Sequence, residues 1–218
     1  MKAFASSLVA ALSVAAAAQA GFTNPLIPSW AGGPDTQTAT WETFSQAFAG
    51  GNTPDGPGSS PFTLFNFAPG SWITSTGNIY SPTSAMYIMV VGATLDERSP
   101  LEVVINASTI GFPISYPSMR LTMFDALGAE QEFSPTVTEV RSDVPFGMGG
   151  SVQTVAFSWD LSGVTAFNAA GFRVDFRASA PNMSLDAFRM DLRYVPGPGA
   201  AFLGALAALV GVRVRRRA

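Results

Sequence analysis

Among the acids of this sequence, Asp186 is the one whose placement most needs an explanation. In 186–194, Asp186, Phe188, Met190, Leu192 and Tyr194 share one parity, opposed by Ala187, Arg189, Asp191 and Arg193. A period of two is that of a strand, so Asp186 is expected on the inward face with Phe188, Met190 and Leu192. A carboxylate placed there has to be hydrogen-bonded, paired or bound to a cation. Two chemistries fit: backbone amides at a strand edge, or Ca²⁺, which takes roughly six to eight oxygen ligands from several groups. On the second, Asp186 is the metal ligand, Ca²⁺ is structural, and Glu42 is the partner carboxylate.

Other groupings are weaker. Glu130 and Glu132 share a strand face, and Asp96-Glu97 sit at a turn. A glycosidase needs two carboxylates about 5–9.5 Å apart. Both pairs have polar neighbours, without the apolar setting that raises an acid's pKa, so they are expected as surface acids. Arg173, Asp175 and Arg177 would face Arg189, Asp191 and Arg193 if the last two strands pair. That arrangement is a salt-bridge ladder or, in a functional reading, a strip for uronate or sulfated polysaccharide. Trp30, Trp72 and Tyr116 lie near turn residues and could stack on sugar rings, whereas Trp159, in parity with Val155 and Phe157, belongs to a core.

The chain has no His and no Cys. A Ser-His-Asp triad, a thiol nucleophile, a disulfide and a His- or Cys-ligated metal are thereby excluded. No catalytic residue and no organic cofactor site is assigned. All fifteen acids lie between Asp35 and Asp191, against seven arginines and no lysine in 21–195. Such a middle offers no basic surface to a nucleic-acid backbone.

The elements that would position these groups are strands. Short segments rich in β-branched and aromatic residues alternate with turn formers, and no helical period of useful length intervenes. The segments are 38–48, 62–67, 71–75, 78–80, 84–95, 101–110, 118–126, 131–140, 152–160, 171–178 and 184–194, with a turn-rich loop at 50–58. In 171–177, Phe172, Val174 and Phe176 alternate with Arg173, Asp175 and Arg177, as in a half-buried strand. Met86 to Val91 is apolar on both parities, so a central strand covered on both faces is expected. The fold class is all-β: one antiparallel sandwich or jelly roll over 21–194.

Each end carries a targeting pattern. Lys2, an apolar alanine-rich run and Ala18-Gln19-Ala20 before Gly21 make a secretory signal peptide over 1–20, with a signal helix, cut by signal peptidase after Ala20. At the other end, 195–218 carries the breaker Val195-Pro196-Gly197-Pro198-Gly199, an apolar transmembrane helix from Ala201 to Val212, and Arg213, Arg215, Arg216 and Arg217. The span is at the short end for a bilayer, and the arginines hold its end in the cytoplasm.

This tail resembles the PEP-CTERM sorting signal of exported bacterial proteins, which exosortases read. Val195, Pro196 and Pro198 match its Val-Pro-Glu-Pro pattern, with Gly197 in place of Glu. Ser184-Leu185-Asp186-Ala187-Phe188-Arg189, just before the motif, and Ser75-Thr76-Gly77-Asn78-Ile79-Tyr80-Ser81 resemble segments of lectin-like sandwiches that carry the tail. The resemblance implies transient residence in the inner membrane, processing by an exosortase-type enzyme, and delivery to the cell surface or extracellular matrix near exopolysaccharide. A plain C-terminal anchor is the other reading of the same residues. The expected function is that of a non-enzymatic surface protein. The alternative is a secreted carbohydrate-active enzyme or a Ca²⁺-dependent glycan-binding module.

Overall fold

Apolar residues on alternate positions of many short strands bury their faces best against a second sheet. The computed structural model describes residues 21–56, 61–146, 150–164 and 169–195. Ala18 and Ala20 of the expected signal segment, Pro196, Gly197, Pro198 and Gly199 of the expected motif, the expected 201–212 helix and the terminal arginines lie outside them. Gly21 and Val195 lie inside. Among the described residues no helix is long and apolar enough to cross a membrane.

The strands are β1 (Thr36–Trp41), β2 (Phe62–Asn66), β3 (Trp72–Ile73), β4 (Ile79–Ser81), β5 (Tyr87–Ala93), β6 (Pro100–Gly111), β7 (Arg120–Phe124), β8 (Glu130–Phe133), β9 (Val137–Phe146), β10 (Gly150–Asp160), β11 (Gly171–Arg177) and β12 (Met183–Tyr194). They form two antiparallel sheets. The larger runs β3-β4-β12-β6-β10-β9, with β1 also on β12, and the smaller runs β2-β5-β11-β7-β8. From β5 onward the chain passes repeatedly from one sheet to the other, a connectivity of the jelly-roll kind.

The inner faces meet in one core. Trp41, Ile79, Ile105, Phe157, Phe188 and Met190 come from the larger sheet, and Leu64, Ile88, Leu121, Phe172 and Phe176 from the smaller. Phe176 and Phe188 stack across the gap with ring centroids 5.8 Å apart, and Trp41 leans on Phe188 at 5.7 Å.

Four expectations change. The segment 131–140 is two strands in different sheets, because Ser134-Pro135 turns the chain from β8 to β9. The segment 38–48 is a strand only to Trp41. The outer face of β5 is half-buried rather than covered, with Tyr87 and Met89 beside Phe65 and Phe67. Finally, β11 and β12 do not pair: β11 lies between β5 and β7, and β12 next to β6. Their apolar faces meet across the core, so their arginines point to opposite sides of the sandwich. Each set is engaged locally, Arg173 with Asp175 (3.2 Å) and Arg189 with Asp191 (2.8 Å). The composite anionic-glycan strip does not exist.

One glycine decides local geometry. Gly111 ends β6 at φ +99°, and a Cβ there would stand 2.1 Å from the Asn182 carbonyl oxygen. That close approach lets the Phe112 amide donate to the same oxygen at 3.3 Å.

Candidate functional site

The outer face of the larger sheet carries more polar burial than an open face can. Asn106, Ser108 and Thr154 are at most 2% exposed, although they alternate with the core residues Ile105, Ala107 and Val155. What covers them is the segment 21–26, laid across the strands. Its Thr23 amide donates to Thr154 Oγ1 (3.1 Å) and its Leu26 amide to Asn106 Oδ1 (2.7 Å), while Asn106 Nδ2 returns a bond to the Leu26 carbonyl (2.9 Å). Asn24 and Arg141 exchange two further bonds at 3.2 Å over β9. Each such bond contributes about 1 kcal/mol, and together they fix the path of this strap.

Asp186 lies beneath the beginning of the strap. It is 2% exposed, but it does not share the core face of Phe188. The pairing of β12 with β6 shifts between Leu185 and Ala187, so Asp186 is the extra residue of a bulge. The bulge inverts the parity: Met183 and Leu185 before it, and Phe188, Met190 and Leu192 after it, all reach the core. The carboxylate instead accepts from the Gly21 amide (3.1 Å), Asn78 Nδ2 (2.5 Å) and Ser108 Oγ (3.4 Å). Burial pushes its pKa up. The bonds from Gly21, Asn78 and Ser108 oppose that rise, and the Glu42 carboxylate adds to it. The neighbours that bond Asp186 are donors, and among the described residues no three acidic groups converge as a cation cage.

Asn78 connects Asp186 to a cleft of about 600 Å³ on the same outer face. One wall is Thr74, Thr76, Asn78 and Tyr80, around the turn joining β3 and β4. The other is Ile110, Gly111 and Phe112 at the end of β6, with Asn182 and Ser184 from the start of β12 between them. The Tyr80 hydroxyl donates to Asn182 Oδ1 at 3.0 Å, and the Trp72 ring, half exposed, meets Tyr80 edge-on at 5.1 Å. Phe112 is 40% exposed. Asn78 Oδ1 and Ser184 Oγ are buried without a hydrogen-bond partner. The lining residues carry no charge. An uncharged, mostly apolar surface edged by the Thr74, Thr76 and Asn182 side chains suits a neutral ligand that has both a hydrophobic face and polar groups.

The other sequence candidates separate. Trp30 is stacked under Arg193, whose guanidinium carbon is 5.8 Å from the ring centroid. Tyr116 packs edge-on to Phe157 (6.0 Å) and donates to Gln153 (2.8 Å), at the margin of the core. Trp159 is core, as its parity indicates. Glu132 pairs with Arg120 (3.1 Å), Glu130 with Arg173 (3.9 Å), and Asp96 with Arg98 (3.6 Å). Asn182, Phe112, Ser108 and Asn106 were not singled out from the sequence. The available signal was polar residues on the outward parity of β6 and β10, strands otherwise strongly apolar.

No family model and no curated protein sequence matches this chain. Solved structures with a similar arrangement include the CBM22-1 xylan-binding domain of Paenibacillus barcinonensis Xyn10C, at 8% identity and a TM-score of 0.34, over 73% of this chain and 95% of that one. The CBM22-1 and GH10 modules of Clostridium thermocellum xylanase 10B, in complex with xylohexaose, match at 9% and 0.33, over 62% and 26%. The enzymatically active domain of bacteriophage CBA120 tailspike protein 4 matches at 8% and 0.29, over 73% and 19%.

Proposed function

We propose that this chain is an exported, non-enzymatic surface protein whose β-sandwich holds a neutral polysaccharide in the cleft between Tyr80 and Phe112. The observation that carries the reading is an uncharged cleft in which the Tyr80 ring and the exposed Phe112 ring stand beside the accessible polar side chains of Thr74, Thr76 and Asn182. A sugar ring offers hydroxyl donors on its rim and C–H groups on its faces, and so meets both. A uronate would bring a charge that the cleft does not answer.

The test is retention of the exported protein in native gels containing hydroxyethylcellulose or alginate. Retardation is expected in the neutral polymer and not in alginate. Tyr80→Ala and Phe112→Ala should each weaken it about tenfold, the loss of one aromatic contact of roughly 1.4 kcal/mol. Unchanged retardation in both variants overturns the cleft.

Delivery follows from the ends of the chain. The signal segment directs export, and the 195–218 tail holds the precursor in the inner membrane until an exosortase-type enzyme cuts near Val195–Gly199. Pro196 and Pro198 lack the backbone N–H that a sheet ladder needs. Protein recovered from the cell surface should have a mass lacking residues 200–218. Pro196→Ala with Pro198→Ala should leave full-mass precursor in the membrane. Surface protein that retains 200–218 would make the tail a permanent anchor.

A further inference from the structure

We infer that the site around Asp186 is a receptor for the chain's own processed N-terminus, where the Gly21 α-ammonium freed by cleavage pairs with the Asp186 carboxylate. This rests on the proposed removal of residues 1–20. The geometry is in place: Gly21 nitrogen stands 3.1 Å from Asp186 Oδ2, across 165 residues of sequence. The nitrogen that would become the new terminus is the one that reaches the buried Asp186 carboxylate.

The chemistry of the cut improves this contact. Hydrolysis of the Ala20–Gly21 bond consumes one water. Its oxygen goes to the new Ala20 carboxylate, and both its hydrogens end on the Gly21 nitrogen, which becomes –NH₃⁺. An amide with one hydrogen is thereby replaced by a cation with three. Asp186 is 2% exposed, and among the described residues no arginine pairs with it. Its present partners are the Gly21 amide, Asn78, Ser108 and the like-charged field of Glu42. A buried carboxylate without a countercharge is unfavourable, and an ammonium at this distance offsets part of that cost. The pair would also tie down the end of the strap, whose next anchors are Thr23 on Thr154 and Leu26 on Asn106. Because Asn78 donates to the same carboxylate and lines the cleft, processing and ligand contact share one residue.

The sequence supplies a clean probe. Lys2 is the only lysine, so loss of residues 1–20 leaves the Gly21 amine as the single amine of the protein. The full chain is exported, purified and treated with trinitrobenzenesulfonate at about pH 8, near the titration range of a free α-amine, and labelling is followed by intact mass. Wild type should react about fourfold to fivefold more slowly than Asp186→Asn, the fall in free amine at this pH that one pKa unit of protection of the paired ammonium gives. A second variant inserts Ser-Thr between Ala20 and Gly21, moving the new amine away from Asp186 without touching the carboxylate. It should react as fast as Asp186→Asn, and it keeps the test intact if the Asn variant does not fold. Equal rates in wild type and the insertion variant, with masses beginning at Gly21 and at the inserted Ser, overturn the pairing and leave the cleavage standing. A mature wild-type mass that begins elsewhere than Gly21 overturns the cleavage and the pairing together.

Discussion

Phe188→Ala should cost this domain about 3–5 kcal/mol, the range for a large aromatic removed from a packed core. In a domain of this size that lowers the unfolding midpoint by roughly 10 °C. The site justifies the upper part of the range. Phe188 is fully buried, stacks on Phe176 of the opposite sheet and supports Trp41 of its own. The rings on either side belong to different sheets, so neither moves in without shifting a strand, and the cavity stays open. Phe188→Leu refills most of that volume and should cost less than half as much. Thermal and urea unfolding of the protein measure both. A loss below about 1 kcal/mol for the alanine variant would mean that the two sheets are not held together here.

Asn52→Leu should be nearly as damaging, although it adds an apolar side chain to a buried position. Asn52 is 1% exposed. Its Oδ1 accepts from the Ser45 and Gln46 amides, both at 2.9 Å, and its Nδ2 donates to the Gln46 carbonyl at 2.9 Å. Leucine has a similar size but leaves these three backbone groups without partners. Each orphaned group costs about 1–3 kcal/mol when it stays buried, so a loss near 3 kcal/mol is expected. The chain after β1 would then lose its anchor, and limited proteolysis should cut between 42 and 51. Asn52→Asp keeps both acceptor contacts and loses only the donor, so it should fall between wild type and leucine in both assays. Wild-type stability and protease resistance in Asn52→Leu would show that the loop is held by something else.

Much of the strand inventory was legible because it depends on local alternation. Phe172, Val174 and Phe176 on one parity, and Phe188, Met190 and Leu192 on another, specify strands whichever neighbours they take. The Ser134-Pro135 corner is also written locally, although the β-branched and aromatic composition of 131–140 runs across it as if it were one strand. The partner of each strand was not legible. The arginines of β11 and β12 look complementary in sequence, yet their apolar faces were worth more against each other across the core than their charges side by side. Surface ion pairs contribute about 0–1 kcal/mol, whereas burying one phenylalanine contributes about 1.5–3.

The candidate site was less legible than the fold. Asp186 stood out from its parity alone, but its face did not, because a bulge inserts one residue without leaving a mark in the hydrophobic pattern. The cleft draws Asn78, Tyr80, Phe112 and Ser184 from three strands and their ends, and the strap meets residues 80 to 165 positions away. Composition, alternation and turn chemistry by themselves determined an antiparallel β protein without His or Cys chemistry, and a carboxylate that had to find partners. Tertiary structure alone decided which partners, since Gly21, Asn78 and Ser108 are brought to Asp186 by the pairing of β4, β12 and β6 and by a strap with no periodicity. Periodicity carries information about the face a residue presents, and contacts between distant segments depend on how whole faces pack.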